Sequence, residues 1–90
     1  MDCNNYSYVN HSVKSAEIAR YYGDDKIIIL ERVINYFGEM FYTVYDILGD
    51  FAEEFCIDHS EGWETERHVY ENAARCYNSL VPDDECITLF

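Results

Sequence analysis

The sequence predicts a single, mainly α domain of three helices, the central one long. Three observations predict it. Leu30, Ile34, Phe37, Phe41, Val44, Leu48, Phe51 and Phe55 recur at spacings of 4, 3, 4, 3, 4, 3 and 4, which reads as a heptad seam on one helix face. Val69, Ala73, Cys76 and Leu80 repeat the 4, 3, 4 spacing further on. Residues suited to helix ends flank the two runs: Asp24 or Asp25 ahead of the first, Val81-Pro82 behind the second. Aspartate caps an N-terminus, and the residue before proline is pushed out of the helical region.

The elements follow in chain order. Tyr6 to Val9 reads as a short strand or an ordered arm. Ser12 to Tyr22 reads as a short helix capped by Ser12 and ended by Gly23, with Val13, Ala16, Ile18, Ala19 and Tyr22 as its apolar face. The central helix would be ~50 Å long if it ran unbroken to Ile57, at ~1.5 Å per residue. Gly38 and Gly49 are its weak points, each costing about 1 kcal/mol against Ala and marking a kink or a break. The third helix runs from Ser60 or Trp63 to Leu80. An α+β arrangement is the alternative. There the β-branched run Lys26–Leu30, KIIIL, is one short strand and the apolar tail Cys86–Phe90 is another.

Ninety residues form one domain, 1–90, with room for one core. The chain is 49% apolar and 17% aromatic, which is too rich for a disordered acidic tail. Its formal charge is −12. That sign disfavours direct binding to nucleic acid or to an anionic membrane and favours a basic partner. No apolar stretch approaches the ~20 residues of a membrane span. The polar N-terminus lacks a signal-peptide pattern, so the cytoplasm is the expected location and the four cysteines are expected as reduced thiols.

The charge is concentrated. No Lys or Arg occurs between Arg32 and Arg67, whereas Glu39, Asp46, Asp50, Glu53, Glu54, Asp58, Glu61, Glu64 and Glu66 all fall in that gap. On the central helix, Glu39, Asp46 and Glu53 take the heptad position farthest from the seam, with Asp50 beside them. Glu64 and Glu71 take it on the third helix, and Asp58 and Glu61 bridge the two. Rows of carboxylates about 10 Å apart would line both outer ridges. Tyr36 and Tyr42 lie near the same ridge, where rings can pack on Lys and Arg stems.

A small, acidic, Tyr-rich chain of this kind resembles the DNA-mimic inhibitors that bacteriophages make against restriction enzymes, nucleoid proteins and CRISPR effectors. The resemblance rests on chain size and on Glu39 to Glu66; it carries no sequence motif. It implies a non-enzymatic inhibitor that occupies the nucleic-acid site of a basic bacterial protein, working in the bacterial host cytoplasm if phage-encoded. The partner-binding residues would then be Glu39, Asp46, Asp50, Glu53, Glu54, Asp58, Glu61, Glu64, Glu71, Tyr36 and Tyr42. The alternative function is a helical interaction module or anti-activator that docks through its apolar seam, which would also serve a homodimer.

Other chemistry has weaker support. The chain has no Gly-rich phosphate loop, GxSxG or HExxH. Neighbouring acids such as Glu53 and Glu54 diverge on a helix, so no catalytic residue is assigned. Cys56, His59, His68 and Cys76 have the residue types of a zinc site. Cys76, however, falls on the apolar seam and no second close ligand pair accompanies it, so neither metal nor cofactor is expected.

Overall fold

The computed structural model describes residues 14–57 and 63–89, with the side chains of Trp63 and Glu64 outside that description. Four strands come first: β1 (Lys14–Tyr22), β2 (Ile27–Ile34), β3 (Met40–Asp46) and β4 (Ala52–Cys56). The helix α1 (Trp63–Leu80) follows, then a single 3₁₀ turn at Asp83–Glu85. The strands form one antiparallel sheet in the order β1-β2-β3-β4.

The fold is therefore α+β, and the expected three-helix architecture is wrong. Ser12–Tyr22 is not a helix, because Lys14–Tyr22 forms strand β1. The long central helix is replaced by three strands and two turns. The third helix is present as α1. Of the two strands in the α+β alternative, Lys26–Leu30 overlaps the start of β2, while residues 86–89 have no regular structure. The predicted arm at Tyr6–Val9 lies outside the described residues.

The reason lies in the two glycines. Gly38 and Gly49 have φ of +83° and +94°, a left-handed conformation that side chains other than Gly resist. Each closes a turn opened by an Asx residue. Gly38 N–H donates to Asn35 O at 3.0 Å, and Gly49 N–H donates to Asp46 O at 2.8 Å. Asn35 Oδ1 accepts from Phe37 N–H at 2.9 Å and from Glu39 N–H at 3.0 Å. Asp46 Oδ1 accepts from Leu48 N–H at 2.9 Å. Asn-Tyr-Phe-Gly and Asp-Ile-Leu-Gly are thus the same turn used twice, and each reverses the chain between antiparallel strands.

The seam dissolves in consequence. Leu30 and Val44, 14 residues apart, would be two heptads apart on a helix but are direct partners across β2 and β3. Phe41 lies on the opposite face from Val44, and Phe37 and Leu48 stand exposed at the turns. The seam never forms one surface, so the helical stripe expected to dock a partner is absent from this fold.

The core lies between α1 and one face of the sheet. Ile28 and Leu30 of β2 and Tyr42 and Val44 of β3 pack against Ala73, Ala74 and Tyr77 of α1, with Val81 just beyond it. Two adjacent alanines bring the helix backbone close to the sheet. Tyr42 meets Tyr70 edge to face at 5.5 Å between ring centres. Asn78 fastens the segment after the helix: its Nδ2 donates to Ile87 O at 2.9 Å and its Oδ1 accepts from Ile87 N–H at 2.8 Å. The chain's single α-helix among the described residues is not apolar enough to cross a membrane.

Candidate functional site

Residues two apart on a strand share a face. Because Ile28 and Leu30 point at α1, Ile27, Ile29, Glu31 and Val33 point away from it. The strand pairing extends this second face into rows. Glu17, Glu31, Thr43 and Glu54 are successive cross-strand partners. On one side of that row, Arg20, Ile29, Tyr45 and Ala52 line up; on the other, Ser15, Val33, Phe41 and Cys56. A bulge at Ile18 resets β1, which keeps Glu17 and Arg20 on the same face. The result is an acidic row between two rows rich in apolar side chains.

The electrostatics of this face are one-sided. Glu17 and Glu31 sit directly opposite, an arrangement that is unfavourable for like charges. Arg20 relieves it: its Nε donates to Glu17 Oε2 at 2.8 Å, and its guanidinium lies 5.4 Å from the centre of the Tyr22 ring. That hydrogen bond holds the Glu17 carboxyl below its ordinary range. Glu31 and Glu54 have no ion-pair partner among the described residues. Between them lies a recess of about 330 Å³ walled by Glu31, Thr43, Tyr45, Ala52, Glu53 and Glu54. Thr43 Oγ1 is buried there with no hydrogen-bond partner. Burial, then the nearby Glu31 carboxylate, pushes the Tyr45 hydroxyl above its ordinary range. The arrangement attracts cations and offers them apolar flanks.

The expected site residues do not form ridges. Glu39 is in the β2–β3 turn, where its Oε1 accepts from Asn35 Nδ2 at 2.8 Å. Asp46 is at the opposite end of β3, only 5% exposed, and serves the turn there. Asp50 is exposed in that same turn. Glu53 is on the helix side of β4, near enough to Cys76 to add to the upward push that burial gives that thiol. Glu54 alone of the set reaches the acidic row. Glu71 is paired on α1 with Arg67 at 3.2 Å and Arg75 at 4.0 Å. Asp58, Glu61 and the Glu64 side chain lie outside the described residues.

The two tyrosines divide. Tyr36 is 61% exposed in the β2–β3 turn, edge to face with Phe37 at 5.3 Å. Tyr42 is 5% exposed beneath α1, where its hydroxyl donates to Glu66 Oε2 at 3.2 Å. It belongs to the core and offers nothing to a partner.

Glu17, Glu31, Phe41, Thr43 and Tyr45 were not anticipated as a group. Their signal was the alternation in MFYTVYD, residues 40–46, which the helical reading absorbed. Among the zinc candidates, Cys56 is exposed on β4, His68 is exposed on α1 and His59 lies outside the described residues. Cys56, Cys76 and Cys86 are free thiols, and no metal-type cluster occurs among the described residues. Comparison of the chain with known protein families, curated proteins and solved structures finds no match.

Proposed function

We propose that the chain is a binding protein, not a catalyst, that occupies the nucleic-acid site of a basic protein and so inhibits it. One observation carries this reading: most carboxylates among the described residues have no ion-pair partner there. The chain has 18 acids against six Lys and Arg. Among the described residues, ion pairs engage only the carboxylates of Glu17 and Glu71. A fold that needed its acids for internal pairing would have spent them. Here Glu31 and Glu54 stand across the sheet roughly 10 Å apart, two strand spacings, with Asp24, Asp25 and Asp50 exposed at one end. The surface differs from the expected ridges, and the charge that suits a basic groove remains.

The test is capture from bacterial lysate on the immobilised chain, washed at ~50 and then ~200 mM salt and eluted with duplex DNA. Phosphate-like contacts should lose orders of magnitude of affinity over that salt step. Proteins released by salt and displaced by DNA support the reading. Captured proteins that resist both overturn it.

A further inference from the structure

We propose that Lys14 and Arg32 form a binding site for the phosphate group of a phosphate monoester, apart from the acidic surface. Lys14 opens β1 opposite Ile34, and Ala16 is opposite Arg32. The two cations are therefore diagonal neighbours on one face of the β1–β2 pair, a spacing that long side chains span. It is the α1 face, because Arg32 is also the cross-strand partner of the core residue Tyr42. The helix lies over β2, β3 and β4. Lys14 and Ala16 stand exposed at the start of β1, with Arg32 half-buried beside them. Between them is a recess of about 260 Å³ walled by Lys14, Ser15, Ala16, Arg32 and Ile34. Ala16 contributes only a methyl group, which leaves space between the two longer side chains.

The charge of this corner runs against the rest of the chain. Three other recesses each have a carboxylate in the wall: Glu71 in one, Glu31, Glu53 and Glu54 in another, Glu39 and Glu54 in the third. This one has two cations and no carboxylate. With 18 acids against six Lys and Arg, a cation that serves only the fold has carboxylates to choose from. Arg20, Arg67 and Arg75 take them, pairing with Glu17 and Glu71. Among the described residues, Lys14 and Arg32 have no ion-pair partner. Like charges set this close repel, and an anion between them removes the repulsion. Two positive charges match a dianion, whereas a single carboxylate leaves one of them uncompensated. A phosphate monoester carries close to two negative charges near neutral pH. A guanidinium grips two of its oxygens in a fork, and an ammonium adds a point charge. The net charge of −12 does not decide the matter at this range. Charges beyond a Debye length, about 8 Å at physiological salt, are largely screened.

The experiment titrates the isotopically labelled full chain with inorganic phosphate at pH ~7 and ~0.15 M salt, then with acetate at equal ionic strength. Phosphate should give saturable shifts of the amide signals of Lys14, Ser15, Ala16, Arg32 and Ile34. Acetate should bind at least about tenfold more weakly. Arg32→Gln should weaken phosphate about tenfold, the loss of one charge-assisted contact at a partly exposed site. Lys26→Gln removes the same unit of charge about 20 Å away along β2 and should leave phosphate binding unchanged. Adenosine monophosphate and glycerol phosphate should bind at least as tightly as inorganic phosphate through the same amides. Added shifts with one of them name the rest of the ligand. Shifts that rise linearly over the whole chain signal screening alone and overturn the proposal. So do equal responses to phosphate and acetate, an Arg32→Gln chain that binds phosphate as well as the wild type, or failure of both esters where inorganic phosphate binds. The comparison of phosphate with acetate uses the native chain, so it stands even if a variant misfolds. None of these readouts involves the acidic face, so the phosphate site and the inhibitor reading stand or fall separately.

Discussion

Replacing Gly38 and Gly49 by Ala separates the hairpins from a helix by the sign of the effect. A Cβ added at either position meets no atom within 4 Å. The cost is therefore torsional, from φ of +83° and +94°. A left-handed L-residue costs about 1–2 kcal/mol. Ala also removes freedom from the unfolded chain, which returns about 0.4–1 kcal/mol. The net expectation is a loss of about 1 kcal/mol for each variant. The two turns lie at opposite ends of β3, a strand of seven residues or about 20 Å. The effects should then add to about 2 kcal/mol. For a domain of this size, each kcal/mol lowers Tm by about 4–8 °C. Urea and thermal unfolding followed by circular dichroism read both quantities. In a helix interior the same substitutions would stabilise by about 1 kcal/mol apiece. An increase in the unfolding midpoint for both variants refutes the turn assignment. Gly38→Asn is the companion variant, since Asn tolerates the left-handed region, and it should lose less than Gly38→Ala.

Three further outcomes follow from single side chains. Burial first, then the Glu66 carboxylate, raises the Tyr42 hydroxyl from 10.0 to about 12. The fold thus favours the neutral phenol. Its contribution is complete below pH 10 and is lost as pH climbs through about 12, by at most roughly 2–3 kcal/mol. Tyr42→Phe should flatten the alkaline fall in urea midpoint, and a fall as steep as the wild type's refutes this. Asp46→Ala should cost about 1–2 kcal/mol, because Leu48 N–H and Ile27 N–H lose their acceptor at 2.9 and 3.4 Å. Asp46→Asn keeps an oxygen there and should retain most of the stability, and equal losses in urea unfolding would count against the turn role. Asn78→Ala should strip the Ile87 amide of its acceptor and raise its hydrogen-exchange rate at least about tenfold, while the amides of β2 and β3 stay protected.

Some of this was legible in the chain before folding. α1 could be read because Val69, Ala73, Cys76 and Leu80 keep a helical period over a stretch bounded by Pro82. Of the strands, only the start of β2 was offered, in the Lys26–Leu30 alternative; the rest could not be read, because Leu30 to Phe55 satisfies two patterns at once. A 4-3 repeat of apolar residues is a helical stripe. The same residues also fit short strands of five to eight residues separated by turns. The arbiters were Gly38 and Gly49, each three residues after an Asx. Read as weak points in a helix they were puzzling; read as left-handed turn residues they end it.

The charge has a different status. Its sign and size belong to composition, and the attraction of opposite charge follows from Coulomb's law whatever the fold. Which carboxylates stand together is a matter of strand register. Glu17, Glu31 and Glu54 are far apart in the chain, and only pairing across β1 to β4 puts them in one row. Asp46 and Tyr42 show the converse, since burial takes both out of reach of any partner. Pairing is set by contacts between residues many positions apart, weighed together with where the helix lands. No local window of the chain contains that information, and it was the position of α1 that gathered Ile28, Leu30, Tyr42 and Val44 into the core.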